Sequence, residues 1–163
     1  FLTDALLDEI AEKERYLVPT LSPEARRVEV GDAPEDPALL RWMSMATEAM
    51  YDTVGRAVTR GVRIVAGTDA GMPHVRHGDL PFEMVHLAKA GLSNLAAIES
   101  ATRVAAQALG IDDLVGQVAE GRVADLLLVD GDPLATLAIL EDPTRIKAVI
   151  QAGRVSVDRR LLD

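Results

Sequence analysis

Apolar residues recur every three or four positions in four stretches of the chain, the spacing of one face of an α-helix. Polar residues fill the positions between them, so each stretch predicts an amphipathic helix. Local signals set the boundaries: Asp36-Pro37 is typical of a helix start, and Gly61 is typical of a helix end. The four predicted helices cover residues 4–11, 37–60, 80–89 and 94–109.

Short apolar runs between these helices predict strands. The first two runs, at 16–18 and 62–66, alternate with helices, which is the order of parallel strands in an α/β fold. After residue 110 the pattern changes to closely spaced strands, with one or two helical turns at 134–140. The predicted late strands cover 116–119, 124–129, 145–151 and 154–157. We therefore predict an α/β fold in two parts, residues 1–110 and residues 111–163.

Two segments carry features that helix and strand patterns do not explain. Residues 20–36 contain Pro23, Gly31 and Pro34, and we predict a long irregular loop there, of a kind that is often functional or mobile. The next helix carries Trp42 together with methionines at 43, 45 and 50, which we expect to pack in the core or against a partner.

Composition narrows the range of functions. The chain has 163 residues, a formal net charge of −9 and no cysteine. The negative charge argues against binding to nucleic acid or to an anionic membrane surface. The absence of cysteine removes disulfides, thiolate metal sites and cysteine nucleophiles. No apolar run approaches the roughly 20 residues of a membrane span.

Asp69 is the best candidate for a catalytic residue. It stands in Gly67-Thr68-Asp69, directly after a predicted buried strand, and Gly71 leaves room for close approach. In α/β folds, sites are built at the carboxyl ends of strands. The alternative is that Asp69 only hydrogen-bonds its own turn, and the five residues alone slightly favour that alternative.

The histidines do not form a metal-binding pattern. His74 and His77 lie between Pro73 and Gly78, which predicts a loop, so their three-residue spacing does not place them on one helix face. We expect them to contact substrate or to remain in solvent. His86 lies on a predicted helix as a packed or hydrogen-bonded structural residue, with Glu83 one turn before it as a partner on the helix face.

Residues 61–163 resemble the C-terminal part of the amidohydrolase superfamily of metal-dependent hydrolases, in the imidazolonepropionase-like and Xaa-Pro dipeptidase-like group. Each matching segment is short, but their common order is specific. Upstream, Val-Pro-Thr-Leu at 18–21 resembles the seventh barrel strand of the family. The segments are Gly-Thr-Asp-Ala-Gly at 67–71, His-Gly at 77–78, Ala-Gly-Leu-Ser at 90–93, Ala-Thr at 101–102, Ala-Ala at 105–106, Leu-Gly at 109–110, Gly116, Glu-Gly-Arg-Val-Ala-Asp-Leu at 120–126, Asp-Gly-Asp-Pro-Leu at 130–134 and residues 149–155.

The resemblance implies the C-terminal part of a (β/α)8 barrel, together with strands of a small β-sandwich. It places Asp69 at the end of the eighth barrel strand, as a metal ligand and proton shuttle. The implied reaction is hydrolysis of a C–N bond, in an amide, cyclic amide or dipeptide-type substrate, by metal-activated water. The implied cofactor is a divalent metal, zinc in one or two ions. Gly121 is implied to be a turn residue, and Asp125 to be structural.

The family's other metal ligands do not occur in this sequence. The His-x-His of the first strand, the bridging Lys or carboxylate of the fourth, and the histidines of strands five and six have no counterpart here. A complete barrel needs about 200–250 residues or more. We therefore expect a C-terminal fragment that is inactive alone. Its expected partners are the missing N-terminal half of the barrel and a small-molecule substrate, and a second copy in a homo-oligomer is a further candidate. We expect a cytoplasmic location, although a signal peptide on the missing part stays open.

A second hypothesis assigns no catalytic activity to the chain. In it, the chain is a non-catalytic α/β module for interaction or oligomerisation, its alanine-rich helices form the interface, and Asp69 is a turn residue. A receiver-like domain is a weaker variant, because it requires an acidic pair near the first strand that this sequence does not have.

Overall fold

Two short strands lie between helices along the chain up to residue 109 in the computed structural model, which describes residues 2–159. Three antiparallel strands follow, so the predicted α/β class and the change of pattern after residue 110 are confirmed. The exact division into two parts at that residue stays a prediction. The helices are α1 (Asp4–Glu12), α2 (Ser22–Glu29), α3 (Pro37–Thr59), α4 (Leu80–Lys89), α5 (Asn94–Ser100) and α6 (Arg103–Leu109). The strands are β1 (Tyr16–Leu17), β2 (Arg63–Ile64), β3 (Leu126–Val129), β4 (Ile146–Gln151) and β5 (Arg154–Asp158).

β1 and β2 are parallel neighbours joined by the crossover through α2 and α3. Tyr16 pairs with Arg63 and Leu17 with Ile64. The ladder continues one step further, because the Val65 N–H donates to the Leu17 carbonyl at 2.9 Å. The main apolar core packs α1, α3 and α4 against this pair of strands. Its buried members are Leu7, Leu21, Val54, Ala57, Val62, Ile64, Leu87 and Ala90.

β3, β4 and β5 form an antiparallel sheet with β4 in the centre. Leu127 pairs with Val149, which pairs on its other side with Val157. The predicted closing hairpin is therefore confirmed. Asp125 accepts a hydrogen bond from the Ala152 N–H at 2.7 Å, which agrees with its expected structural role. The predicted helical turns at 134–140 appear as a 3-10 helix, Leu137–Glu141, which packs against α4.

The predicted loop at 20–36 is wrong in its first half, where α2 forms. Pro23 lies in the first turn of this helix, where an N–H has no helical partner and proline costs nothing. Pro23 therefore helps to start a helix here and does not interrupt regular structure.

The predicted strand at 116–119 is also wrong. Gly116 has φ 92° and lies so close to α6 that an added Cβ would come within 2.8 Å of the Ala106 Cβ. The segment therefore packs on a helix instead of pairing with β3. The turn predicted at Gly121 is present, with φ 80°.

The predicted helix 94–109 is divided into α5 and α6. Thr102, between them, has φ −129° and ψ −94°, outside the helical region. The division leaves the Ser100 carbonyl free to accept a hydrogen bond from the Ala66 N–H at 3.0 Å, which ties the helix layer to the end of β2.

Trp42 and Met45 do not lie in the core. Their exposed fractions are 65% and 63%, so the prediction of core packing is wrong for these two residues. Packing against a partner stays a prediction. Within residues 2–159, no helix is both long enough and apolar enough to cross a membrane.

Candidate functional site

The carboxyl ends of β1 and β2 meet at one edge of the sheet, because the two strands are parallel. Gly67 permits their close approach. A Cβ at residue 67 would lie 2.5 Å from the Val18 Cγ1 and 3.7 Å from the Thr20 Oγ1. The two strand ends therefore form one continuous surface, with Thr20 on one side and Asp69 on the other.

Asp69 is exposed at this edge and sits in a tight turn. The turn is closed by backbone groups: the Met72 N–H donates to the Asp69 carbonyl at 3.0 Å, and the Gly71 N–H donates to the Val75 carbonyl at 3.1 Å. In the described part of the chain, the Asp69 carboxylate takes no part in closing the turn. The hypothesis of a purely structural Asp69 needed that contact, so the geometry favours a carboxylate available for chemistry.

Backbone strain is concentrated in the loops that follow β1 and β2. Thr20, Asp69 and His74 have φ values of 54°, 50° and 66°, in the left-handed region that residues other than glycine rarely occupy. Each costs on the order of 1 kcal/mol and persists only where the surroundings hold it. Such strain is common at sites where a side chain must point in a required direction.

Glu83 anchors the loop after β1 from the opposite side. It lies on α4 with no exposed surface. Its Oε1 accepts from the Leu21 N–H at 2.9 Å, and its Oε2 accepts from the Ser22 N–H at 2.7 Å and the Ser22 hydroxyl at 2.6 Å. These three bonds fix the chain at the first and second residues beyond Thr20.

Burial raises the pKa of Glu83, although the hydrogen bonds from Ser22 and Leu21 oppose the shift. The negative charge of Asp69 raises this pKa further. The two carboxylates therefore share one electrostatic environment, in which Glu83 is the buried group and Asp69 is the exposed group.

The structure separates His74 from His77. The His74 Nε2 lies 2.9 Å from an Asp32 carboxylate oxygen, which joins the loop after β2 to the segment after α2. His77 lines a cavity of about 500 Å³ between the start of α4 and the β4–β5 sheet, together with Arg26 and Phe82. The substrate-binding role predicted for His74 and His77 stays a prediction.

His86 is structural, as we predicted. It is buried against Phe82, with the ring centroids 4.3 Å apart, and its Nδ1 is hydrogen-bonded to the Tyr51 hydroxyl. Burial, followed by the positive charges of Lys89 and Arg26, lowers the pKa of His86 to about 4. The imidazole is therefore neutral near pH 7. Burial also raises the pKa of Tyr51 to about 12.

Asp69 does not belong to a metal site made by this part of the chain alone. Among residues 2–159, no three histidine or carboxylate side chains lie close enough together to hold a metal ion. An ionised carboxylate can nevertheless supply one or two oxygen ligands to an ion held mainly by other groups. The donor chemistry at the end of β2 fits a shared metal site.

The role of Glu83 differs from the one that the sequence predicts. We expected a partner on the helix surface, and the side chain is instead wholly buried. A signal was present, since Glu83 lies four residues before Leu87 on the face that enters the core. A charged residue on an apolar helix face predicts a buried acceptor with dedicated donors.

Comparisons with known proteins agree with this geometry. The sequence profile of the amidohydrolase family matches residues 10–156. No curated protein sequence matches the chain. A solved Xaa-Pro dipeptidase with bound methionine in its active site is 31% identical with a TM-score of 0.81, and the match covers 95% of this chain and 37% of that one.

Two further solved structures are similar. A putative prolidase from Bifidobacterium longum is 29% identical with a TM-score of 0.80, and the match covers 94% of this chain and 39% of that one. A prolidase complexed with N-methylphosphonate-L-proline is 25% identical with a TM-score of 0.78, with 98% and 39% covered.

The chain spans less than two fifths of the length of these solved relatives. Its fold corresponds to part of a (β/α)8 barrel followed by the strands of a second, smaller sheet. The family profile covers nine tenths of the chain, and the solved relatives are Xaa-Pro dipeptidases and prolidases. The chain therefore belongs to the amidohydrolase family, in its Xaa-Pro dipeptidase-like group.

Proposed function

We propose that this chain is the C-terminal part of a metal-dependent hydrolase that cleaves an amide C–N bond in a dipeptide-type substrate. One observation carries the proposal: the Asp69 carboxylate is exposed at the carboxyl end of β2 and is held there by a strained turn. The names of the solved relatives, Xaa-Pro dipeptidase and prolidase, favour a dipeptide over a cyclic amide.

Asp69 would be this chain's ligand to a divalent ion, zinc by analogy with the family, with the other ligands supplied from outside the chain. When bound, such an ion acidifies water and polarises a carbonyl oxygen. The Asp69 carboxylate would accept a proton from the attacking water as the water oxygen bonds to the carbonyl carbon. Asp69 would then deliver that proton to the amide nitrogen as the C–N bond breaks.

The loop that follows β2 is the proposed substrate-contact element. It carries His74 and His77, and a histidine there can hydrogen-bond a substrate carboxylate or carbonyl. His74 is already oriented by Asp32, so a substrate group that reaches this loop would meet a ring in a fixed position. Neither histidine is proposed as a metal ligand.

Replacing Asp69 by Asn, in the polypeptide that carries the rest of the barrel, tests the proposal. We expect kcat for Xaa-Pro dipeptides, measured with zinc present, to fall by about 10² to 10⁴, because the amide cannot accept the proton. Asp113→Asn, an exposed carboxylate outside the site, is the matched control and should leave kcat unchanged. Full activity in Asp69→Asn would contradict the assignment.

A further inference from the structure

The N-terminal half of α3 presents an unpartnered apolar face. Ala38, Trp42, Met45 and Ala49 lie along it at spacings of four, three and four residues. Trp42 and Met45 are 65% and 63% exposed, and Leu39 beside them is 44% exposed. We call these five residues the α3 face. Single exposed apolar residues are ordinary, but a run at this spacing is the pattern of a helix–helix contact.

The α3 face continues an interface that is already present. At the C-terminal end of α3, Arg56 and Arg60, the residue that caps the helix, form salt bridges with Asp4 of α1, at 2.6 Å and 2.7 Å. α1 has 9 residues and begins at the capping residue Thr3, whereas α3 has 23. At 1.5 Å per residue, α3 is about 34 Å long and α1 about 14 Å, so α1 covers only one end of the stripe.

The charges beside the α3 face distinguish between possible partners. Arg41 and Glu48 lie seven residues apart, along the same edge of the face, and both are exposed. Neither forms a salt bridge within the part of the chain that the structure describes. One positive and one negative group on a single edge complement a copy of the same edge that runs in the opposite direction.

We propose that the α3 face binds the α3 face of a second copy of this chain, as an antiparallel helix pair. The two-fold axis would lie perpendicular to the two helices and would pass between them, level with the midpoint of Ser44 and Met45 in each. The same edges of the two helices then meet, so that Arg41 of each copy faces Glu48 of the other. In a parallel pair the edge that carries Arg41 and Glu48 would face the opposite edge of the partner helix, so these two charges would not meet. Trp42 fills the centre of the contact, where a large aromatic contributes most.

Cysteine cross-linking of the full 163-residue chain tests the proposal, since the chain has no cysteine of its own. Met45→Cys places a thiol next to the axis, where two copies come within disulfide reach. Val28→Cys, on α2, is the matched control because Val28 is 62% exposed. Under mild oxidation we expect disulfide-linked dimers to form at least several times faster from the Met45 variant. Equal rates would mean random collision and would overturn the proposal.

Charge reversal then tests the arrangement of the pair. In the Met45→Cys chain, Arg41→Glu and Glu48→Arg should each slow cross-linking, because like charges then face each other. The double variant should restore the rate, because the pairs are complementary again. If the double variant stays as slow as the single ones, the partner of the α3 face is not a second copy in this register.

Discussion

At the scale of single residues, one buried carboxylate holds the end of β1 in place. Glu83 has no exposed surface and is the acceptor for the backbone N–H groups of both Leu21 and Ser22. A buried N–H without an acceptor is costly, so these two amides depend on Glu83. The shape of the loop that carries Thr20 therefore depends on a side chain from α4.

Removing the Glu83 carboxylate should destabilise the protein and release this loop. We expect Glu83→Ala to lower the free energy of unfolding by about 3 kcal/mol, since two buried N–H groups lose their acceptor. Urea denaturation measures the loss. Hydrogen exchange at the Leu21 and Ser22 amides, accelerated more than exchange elsewhere, would place the effect at this loop.

Glu9→Ala is the control for that experiment. Glu9 also pairs with a neighbour, Lys13, but it lies on an exposed helix surface with a side chain 52% accessible. Its removal should leave the free energy of unfolding nearly unchanged, because an exposed ion pair contributes little to stability. A similar decrease in the free energy of unfolding for both variants would mean that Glu83 contributes only through its helix propensity.

The role of a residue was predictable where neighbouring residues in the sequence indicate it. It was unpredictable where the role depends on a contact with a distant part of the chain. Asp69 could be found from the glycines around it and from the strand before it. The partners of Glu83, Leu21 and Ser22, lie more than sixty residues away in sequence, so no local pattern could name them. The exposure of Trp42 was unpredictable for the same reason, since it depends on how far α1 reaches.

At the scale of elements, the contact between the ends of β1 and β2 depends on the small size of Gly67. An added methyl group would overlap the Val18 side chain. Val18 is 50% exposed, so its own side chain contributes little to the core. The pair therefore offers a double-mutant test of this contact.

Gly67→Ala should destabilise the protein by about 1–3 kcal/mol through overpacking. Val18→Ala alone should change stability by less than about 1 kcal/mol, because Val18 is half exposed. The double variant should recover most of the loss, since the overlapping methyl group is gone. Thermal unfolding of the four proteins measures the coupling. Additive losses would mean that Gly67 is needed for its backbone and not for this contact.

The pattern of apolar residues located most elements, including the two-residue strands β1 and β2, but it missed α2 and the break between α5 and α6. The spacing of apolar residues located α1, α3 and α4 closely, because each buries one face along several turns. α2 was missed because proline is found both in the first turn of helices and in segments that interrupt helices. The sequence alone did not distinguish the two cases at Pro23. The false strand at 116–119 has the composition of a strand, but tertiary packing on α6 decides its conformation.

At the scale of the whole molecule, two buried titratable groups act on stability in opposite directions. The pKa of His86 is lowered from 6.5 to about 4, so the unfolded chain binds a proton first as the pH falls. Stability is therefore lost as the pH drops from 6.5 towards 4. The pKa of Glu83 is raised above 4.5, so its contribution is lost as the pH rises above that value.

Replacing His86 by Gln isolates the first effect. The difference in the free energy of unfolding between the parent chain and His86→Gln should increase as the pH rises from 4 to 6.5, and should be constant at higher pH. Urea denaturation at several pH values gives this difference. A difference that does not change with pH would mean that His86 titrates alike in the folded and unfolded chains.

The resemblance seen in the sequence identified the family correctly, and the assignment of a barrel followed from it rather than from periodicity. Two short parallel strands do not by themselves indicate a barrel. Short motifs in a specific order carried that information, and the family profile matches residues 10–156. The role of Asp69 as a metal ligand remains a proposal.

The bond between Glu83 and Ser22 also bears on the order of folding. It joins residues 61 positions apart, so it can form only after α3 and β2 have brought α4 back to β1. Closing so long a segment costs entropy that the earlier helix contacts must first offset. We expect the loop with Thr20 and Ser22 to be the last part of this edge to become ordered. During synthesis, the site therefore takes shape only once the ribosome has passed α4.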